Sequence, residues 1–187
     1  SGRRLSRAEV FSALHPMRGE PGVGRWSLED IVARVDSECL FGTLDADAVL
    51  SAILVRRGPD FSRDIHAEFS GKGDDLSRDF RAESEESAYR EGGEAILRAI
   101  RFLQQDAGVP HVTFLPYRYL LVVLARFFAH FPEPEVRNRR LLRRWFWRAA
   151  MLGLTVFRGG TTGATRDLAG RIRAHDETGS VQRLLSS

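Results

Sequence analysis

The chain has 187 residues, 43% of them hydrophobic and 28% charged, with a net charge of +3 and a pI near 9.6. That balance argues against a disordered chain or a membrane protein, and the length suits one main core. The single cysteine, Cys39, excludes an internal disulfide and a thiolate metal cluster, and it points to a reducing, cytoplasmic compartment.

Helix signals dominate. Ser6 and Glu9 have capping-box spacing ahead of Val10, Phe11 and Leu14, which predicts a short first helix ending at the His15-Pro16 step. The opening "SGRRLSRAEV" has neither an initiating Met nor the apolar run of a signal peptide, so the chain reads as an excised piece of something larger. A Gly- and Pro-rich loop, Met17 to Arg25, leads to Ser27 and Asp30, a second box. Leu28, Ile31, Val32, Val35 and Cys39 follow at helical spacing. Asp45 is placed to cap a third helix carrying Val49, Leu50, Ile53 and Leu54, stopped by Gly58-Pro59. Asp60 to Phe69 reads as one more helix.

Next comes "SGKGDDLSRDFRAESEESAYREGGE", which nearly lacks aliphatic side chains. Residues 70–84 therefore read as an exposed connection or mobile arm between an N-terminal helical unit, 1–69, and a C-terminal one, 85–187. The residues leave open whether the two form one continuous domain. From Glu85 a helix is predicted to about Asp106, with Ile96, Leu97, Ile100 and Leu103 on its buried stripe and Gly108 as its stop. Gly92-Gly93 inside it costs about 1 kcal/mol per glycine relative to alanine, predicting fraying before Glu94.

Pro116 stands at a first-turn position ahead of Tyr117 to His130, a stretch apolar nearly all round and expected to be the central helix. It falls short of the roughly 20 residues of a membrane span and carries Arg126 and His130. Phe131 to Pro134 breaks it, and an arginine-rich helix runs on to about Leu152. After "RGGTTGATR", Thr165 to His175 and Ser180 to Leu185 read as short closing helices. "HVTF" and "LTVF" favour β structure but are too short to require a sheet. The expected fold is mainly α, an irregular multi-helix bundle with a long central connection.

Candidate sites are few. Wound at 3.6 residues per turn, "PEVRNRRLLRRWFWRAA" gathers Leu141, Leu142, Trp145, Ala149 and Leu152 on one side, with Phe146 at its edge. Arg137, Arg140, Arg144 and Arg148 form a stripe opposite, with Trp147 beside it near Arg143. Like charges at this spacing repel by a few tenths of a kcal/mol unless a partner neutralises them. Two readings stand: the stripe grips phosphates, with Trp147 available to an unpaired base, or it is solvated or paired with acidic stretches such as "EESAYREGGE". Lys72 is the only lysine among 28 basic residues, which reflects either GC-rich coding or the bidentate phosphate grip of arginine.

"RGGTTGATR", with Arg158, Gly159, Gly160, Thr161, Thr162, Gly163 and Arg166, reads as an anion-binding nest of backbone amides or as a plain glycine connector. Neither it nor "GKGDD" matches the phosphate-loop pattern. His15, His66, His111, His130 and His175 lie far apart and give metal binding little support; Asp74 with Asp75, like Asp45 with Asp47, suits a divalent cation, but helix capping and solvation explain these residues more cheaply. No nucleophile, base and orienting acid stand out, and no cofactor is expected.

Three stretches resemble a known family. "SGRRLSRAEVFSAL" at Ser1 to Leu14, "LPYRYLLVVLARFF" at Leu115 to Phe128 and "RRWFWRAA" at Arg143 to Ala150 look like the helical part of proteins containing domain of unknown function 262, the GmrS-like half of GmrSD-type restriction systems. The likeness covers nearly the whole chain, from just after the family's N-x-x-G-x-x-L element. Such proteins resemble ParB and sulfiredoxin-like folds in an N-terminal portion, where a D-G-Q-Q-R motif serves nucleotide hydrolysis. Many carry an HNH nuclease domain, and several act in defence against phage or modified DNA. Neither motif occurs here, so no catalytic residue carries over.

The resemblance implies a non-catalytic helical body that follows the nucleotide domain of a parent protein. Its expected partner is DNA, met by the arginine stripe. The alternative is an interaction domain that docks an acidic surface of the missing N-terminal nucleotide domain or of another subunit.

Overall fold

The computed structural model describes residues 28–61, 79–80, 82–155 and 157–187. Expectations for the first helix, for residues 62–69, for most of the central connection and for His15, His66, Asp74 and Asp75 fall outside them. All regular secondary structure among the described residues is helical, with no strand. Helices α1 (Leu28–Cys39) and α2 (Ala46–Val55) precede the connection; α3 (Glu85–Phe102), α4 (Arg118–His130), α5 (Val136–Leu152), α6 (Gly160–Gly170) and α7 (Glu177–Leu185) follow it. Among them, no helix is long and apolar enough to cross a membrane.

The central element is α4. Every residue from Tyr119 to Phe128 is buried, and α2, α3 and α6 all pack on it, so an all-round apolar sequence becomes the axis of the bundle. One continuous core joins both sides of the connection: Val35, Ile53 and Val55 share it with Ile96, Leu124, Phe127 and Trp145.

Local chemistry sets the helix ends. Asp45 caps α2 as expected, its carboxylate accepting from the Asp47 amide, and Ser84 caps α3 by accepting from Ser87. Asp176 caps α7 through the Gly179 amide, so that helix begins three residues before the predicted Ser180. α4 begins at Arg118, two residues beyond Pro116, with Tyr117 as its N-cap. "HVTF" contributes a 3-10 turn at Val112–Phe114.

Three expectations change. The predicted fraying before Glu94 is absent, because Gly92 and Gly93 are buried inside a continuous α3. A Cβ on Gly92 would stand 2.7 Å from Ile53 Cγ1, so the glycine exists to let α2 and α3 approach. Beyond Phe102 the helix widens into a π-helical turn, Leu103–Ala107, closed by Gly108 in the left-handed region. Third, "RGGTTGATR" is only partly a loop: α6 starts at Gly160, five residues before the predicted Thr165, and ends at Gly170. Gly163 makes the early start possible, since a Cβ there would meet the Arg158 carbonyl.

The described end of the connection is tied to the helices although Phe80, Ala82 and Ser84 are exposed. Glu83 pairs with Arg56 at 2.9 Å, with the side chains only 8% and 3% exposed. Asp79 reaches Arg126 at 2.8 Å and stands 3.3 Å from His130 Nε2. Between them Phe80, at φ 53°, stacks on His130 and lies under the Arg56 guanidinium. Arg126 is buried on α4 and donates to the carbonyls of Val55, Arg56, Ala169 and Ile172 as well as to Asp79.

These contacts carry three measurable consequences. Gly92→Ala gains about 1 kcal/mol of helix propensity but must displace Ile53, so chemical denaturation should show net destabilisation of about 1 kcal/mol or more. Arg126→Met strands the Arg56 and Ile172 carbonyls and takes the buried cation from Asp79, while those of Val55 and Ala169 keep backbone donors; it should cost about 3–5 kcal/mol in the same assay.

Burial pushes the Asp79 carboxyl upward, yet the His130 ring 3.3 Å away and the Arg126 guanidinium outweigh it and hold Asp79 below the ordinary range. Its contribution is therefore present above the unfolded value and lost as pH falls through the lower folded one. Asp79→Asn should be less stable than the parent at neutral pH. The two stability curves should converge below about pH 4.

Candidate nucleic-acid interface

α5 is an amphipathic helix whose apolar face is fixed by packing. Leu142, Trp145, Phe146 and Ala149 are buried, together with Asn138. Asn138 donates to Glu177 Oε1 at 2.7 Å and to Thr178 Oγ1 at 3.0 Å, and the same Glu177 oxygen accepts from the Glu135 amide at 2.9 Å. A carboxylate from α7 thus caps the start of α5, where its charge also suits the helix dipole. Leu152, predicted to be in the core, is 44% exposed, because α5 ends there against Gly153 and the chain turns away.

The opposite face is cationic. Arg137, Arg140, Arg143, Arg144 and Arg148 are all exposed. Arg137, Arg140, Arg143 and Arg144 have no hydrogen bond or ion pair among the described residues, whereas Arg148 donates to the Leu185 carbonyl at 2.8 Å. Arg139, at the edge of the face, is the exception on this helix: Asp106 binds it at 2.7 Å. Of the glutamates in "EESAYREGGE", Glu94 pairs with Arg34 at 3.1 Å and Glu91 with Arg90 at 3.3 Å, while Glu85 and Glu86 lie in the first turn of α3. In sequence the nearest carboxylates are Glu133 and Glu135, ahead of the first turn.

Trp147 stands within this face, 40% exposed, with Val136 and Met151 exposed at 69% and 87%. Its Nε1 donates to the Ala107 carbonyl at 3.1 Å, and its ring meets Phe146 edge-on. The π-helical turn after α3 therefore anchors the surface twice, through Asp106 to Arg139 and through Ala107 to Trp147. Sequence reasoning missed both anchors. Asp106 was visible only as a carboxylate near a helix end, and a carbonyl carries no sequence signal.

The glycine segment opens α6 instead of forming a free loop. Arg158, Thr161 and Thr162 are exposed, and Gly160, Thr161 and Thr162 lie in the first turn of α6, which has no side-chain cap. Arg166, expected to flank an anion, instead meets Asp60 at 3.4 Å. Among the described residues no group of three metal-ligating side chains occurs. His111 binds the Thr113 amide, His175 is exposed, and Asp45 both caps α2 and pairs with Arg118 at 2.6 Å.

What the face can do chemically is offer several unneutralised guanidinium groups, about 16 Å from the first to the last along the helix axis, beside an aromatic surface. Comparison with protein-family models, curated proteins and solved structures finds no match to this chain.

If the face contributes little to folding, reversing one of its charges should not harm stability. Arg140→Glu replaces repulsion with attraction toward Arg144 at the i,i+4 spacing. Thermal melts should show an unchanged or slightly higher midpoint, a gain of a few tenths of a kcal/mol. A clear fall would reveal a structural role for Arg140.

Proposed function

We propose that this chain is a non-catalytic helical domain that contacts nucleic acid through the arginine face of α5. We place it as the helical body of a GmrS-like, nucleotide-dependent DNA restriction or anti-phage defence protein. The observation that carries the nucleic-acid part is the contrast among arginines. Arg34, Arg56, Arg118, Arg126, Arg139, Arg171 and Arg183 are each matched to a carboxylate. Arg137, Arg140, Arg143 and Arg144 instead crowd one exposed surface with none among the described residues. Concentrated, unneutralised arginine suits a polyanion, because phosphates relieve the repulsion and counterion release supplies the affinity. The family assignment rests on the resemblance of the three short stretches alone.

A second reading has its own support. Val136, Met151 and Leu152 are exposed apolar side chains on or beside the same face. Arginine, methionine and aromatic residues together are what protein interfaces favour. In that case the face docks an acidic surface of a nucleotide domain or of another subunit.

Fluorescence anisotropy with unrelated DNA sequences at increasing salt separates the two. Four phosphate contacts predict an affinity falling with salt at a log–log slope of about −3 to −4, whatever the sequence. Arg140→Glu combined with Arg144→Glu should weaken binding by at least about tenfold, since two contacts become repulsive. Binding untouched by that double variant would remove the face from consideration, and no DNA binding at low salt would favour the protein partner.

A further inference from the structure

Trp147 is the feature of this face that phosphate binding does not use. A duplex held by its backbone asks for cations alone, yet here an indole stands among guanidinium groups and 40% of it is open to solvent. Its one polar atom is already committed: Nε1 donates to the Ala107 carbonyl at 3.1 Å. The surface it shows to solvent is therefore hydrocarbon and π cloud, with no donor on offer. The same bond and the edge-on contact with Phe146 hold the ring in place, so an incoming group would find an ordered surface. On the helix, Arg143 and Arg144 precede it by one turn, and Met151 follows by one turn.

We propose that the arginine face selects single-stranded over duplex nucleic acid, with Trp147 stacking on an unpaired base while Arg140, Arg143 and Arg144 hold the flanking phosphates. This rests on the nucleic-acid reading of the face given above. Every nucleobase has a π face, so stacking on a fixed aromatic gives affinity without sequence choice, but only where that face is not buried in a base-paired stack. In a duplex Trp147 meets sugar and phosphate, which give it nothing to stack on. The reach of the face, about 16 Å along the axis, limits the contact to a few nucleotides. A protein partner would need only the hydrophobic character of the ring and would be insensitive to strand pairing.

The test uses the full chain and a labelled mixed-sequence strand of about 16 nucleotides, free or annealed to its complement. The free strand should bind more tightly. Trp147→Ala should weaken it about tenfold while changing duplex binding little, and Trp147→Phe should restore most of the loss because the π surface returns without Nε1. Circular dichroism melts of both variants confirm that the fold is kept; a melt lowered in Trp147→Ala alone shifts the decision to Trp147→Phe and the strand comparison. Equal affinity for duplex and strand, or equal weakening of both by Trp147→Ala, overturns the selectivity and leaves the phosphate-binding reading standing. Poly-glutamate competing as well as the free strand overturns it in favour of an acidic protein partner. Absence of binding to either DNA form sinks both readings together.

Discussion

One buried guanidinium organises this molecule. Arg126 sits on the central helix, and its donors reach the carbonyls of Val55 and Arg56 at the end of α2 and those of Ala169 and Ile172 at the end of α6. Helix C-termini leave carbonyls without intrahelical partners and carry partial negative charge, so one cation satisfies two such ends. Asp79 supplies the counter-charge, yet burial outweighs it and leaves the Arg126 pKa below its ordinary value. An apolar residue at position 126 could pack against the same helices but could not answer the Arg56 and Ile172 carbonyls or the Asp79 carboxylate. The residues after the connection are drawn in by the same chemistry, Asp79 toward Arg126 and Glu83 toward Arg56.

Arginine thus does three kinds of work in one chain. Arg126 and Arg56 are structural and buried. Arg34, Arg139 and Arg183 make half-exposed pairs whose contribution is modest because solvent screens them. The third kind, on α5, has no structural task visible among the described residues. That separation is the physical basis for treating the face as a site, because charge that stabilises nothing internally and repels its own neighbours is explained most directly by something outside the chain.

The helices were legible where periodicity and caps agreed. Asp45, Ser84 and Gly108 stand where helix ends need them, and the wheel of the arginine helix separated Trp145 from Arg140 correctly. It erred for Leu152, because a wheel has no information about where its own helix ends and the chain turns away. Gly92 and Gly163 misled for the opposite reason. Glycine lowers intrinsic helix propensity, and what reversed that preference was a close approach to Ile53 in one case and to the Arg158 carbonyl in the other. Arg126 was visible as a charge inside an apolar helix, but its partners are backbone atoms at residues 55, 56, 169 and 172, and side-chain patterns are blind to those. The π-helical turn that steadies Trp147 likewise left no mark in the hydrophobic spacing.

The long reach of Arg126 also bears on how the chain comes off the ribosome. Its partners lie 70 and 71 positions before it and 43 and 46 after it, while the cap of α5 comes from Glu177, 42 positions downstream of the amide that it binds. While residues up to Pro134 alone are out of the exit tunnel, the central helix carries a cation with two of its five acceptors not yet made. A nascent chain cannot settle that helix early, so the bundle should close late and as a unit, once translation has delivered α6 and α7.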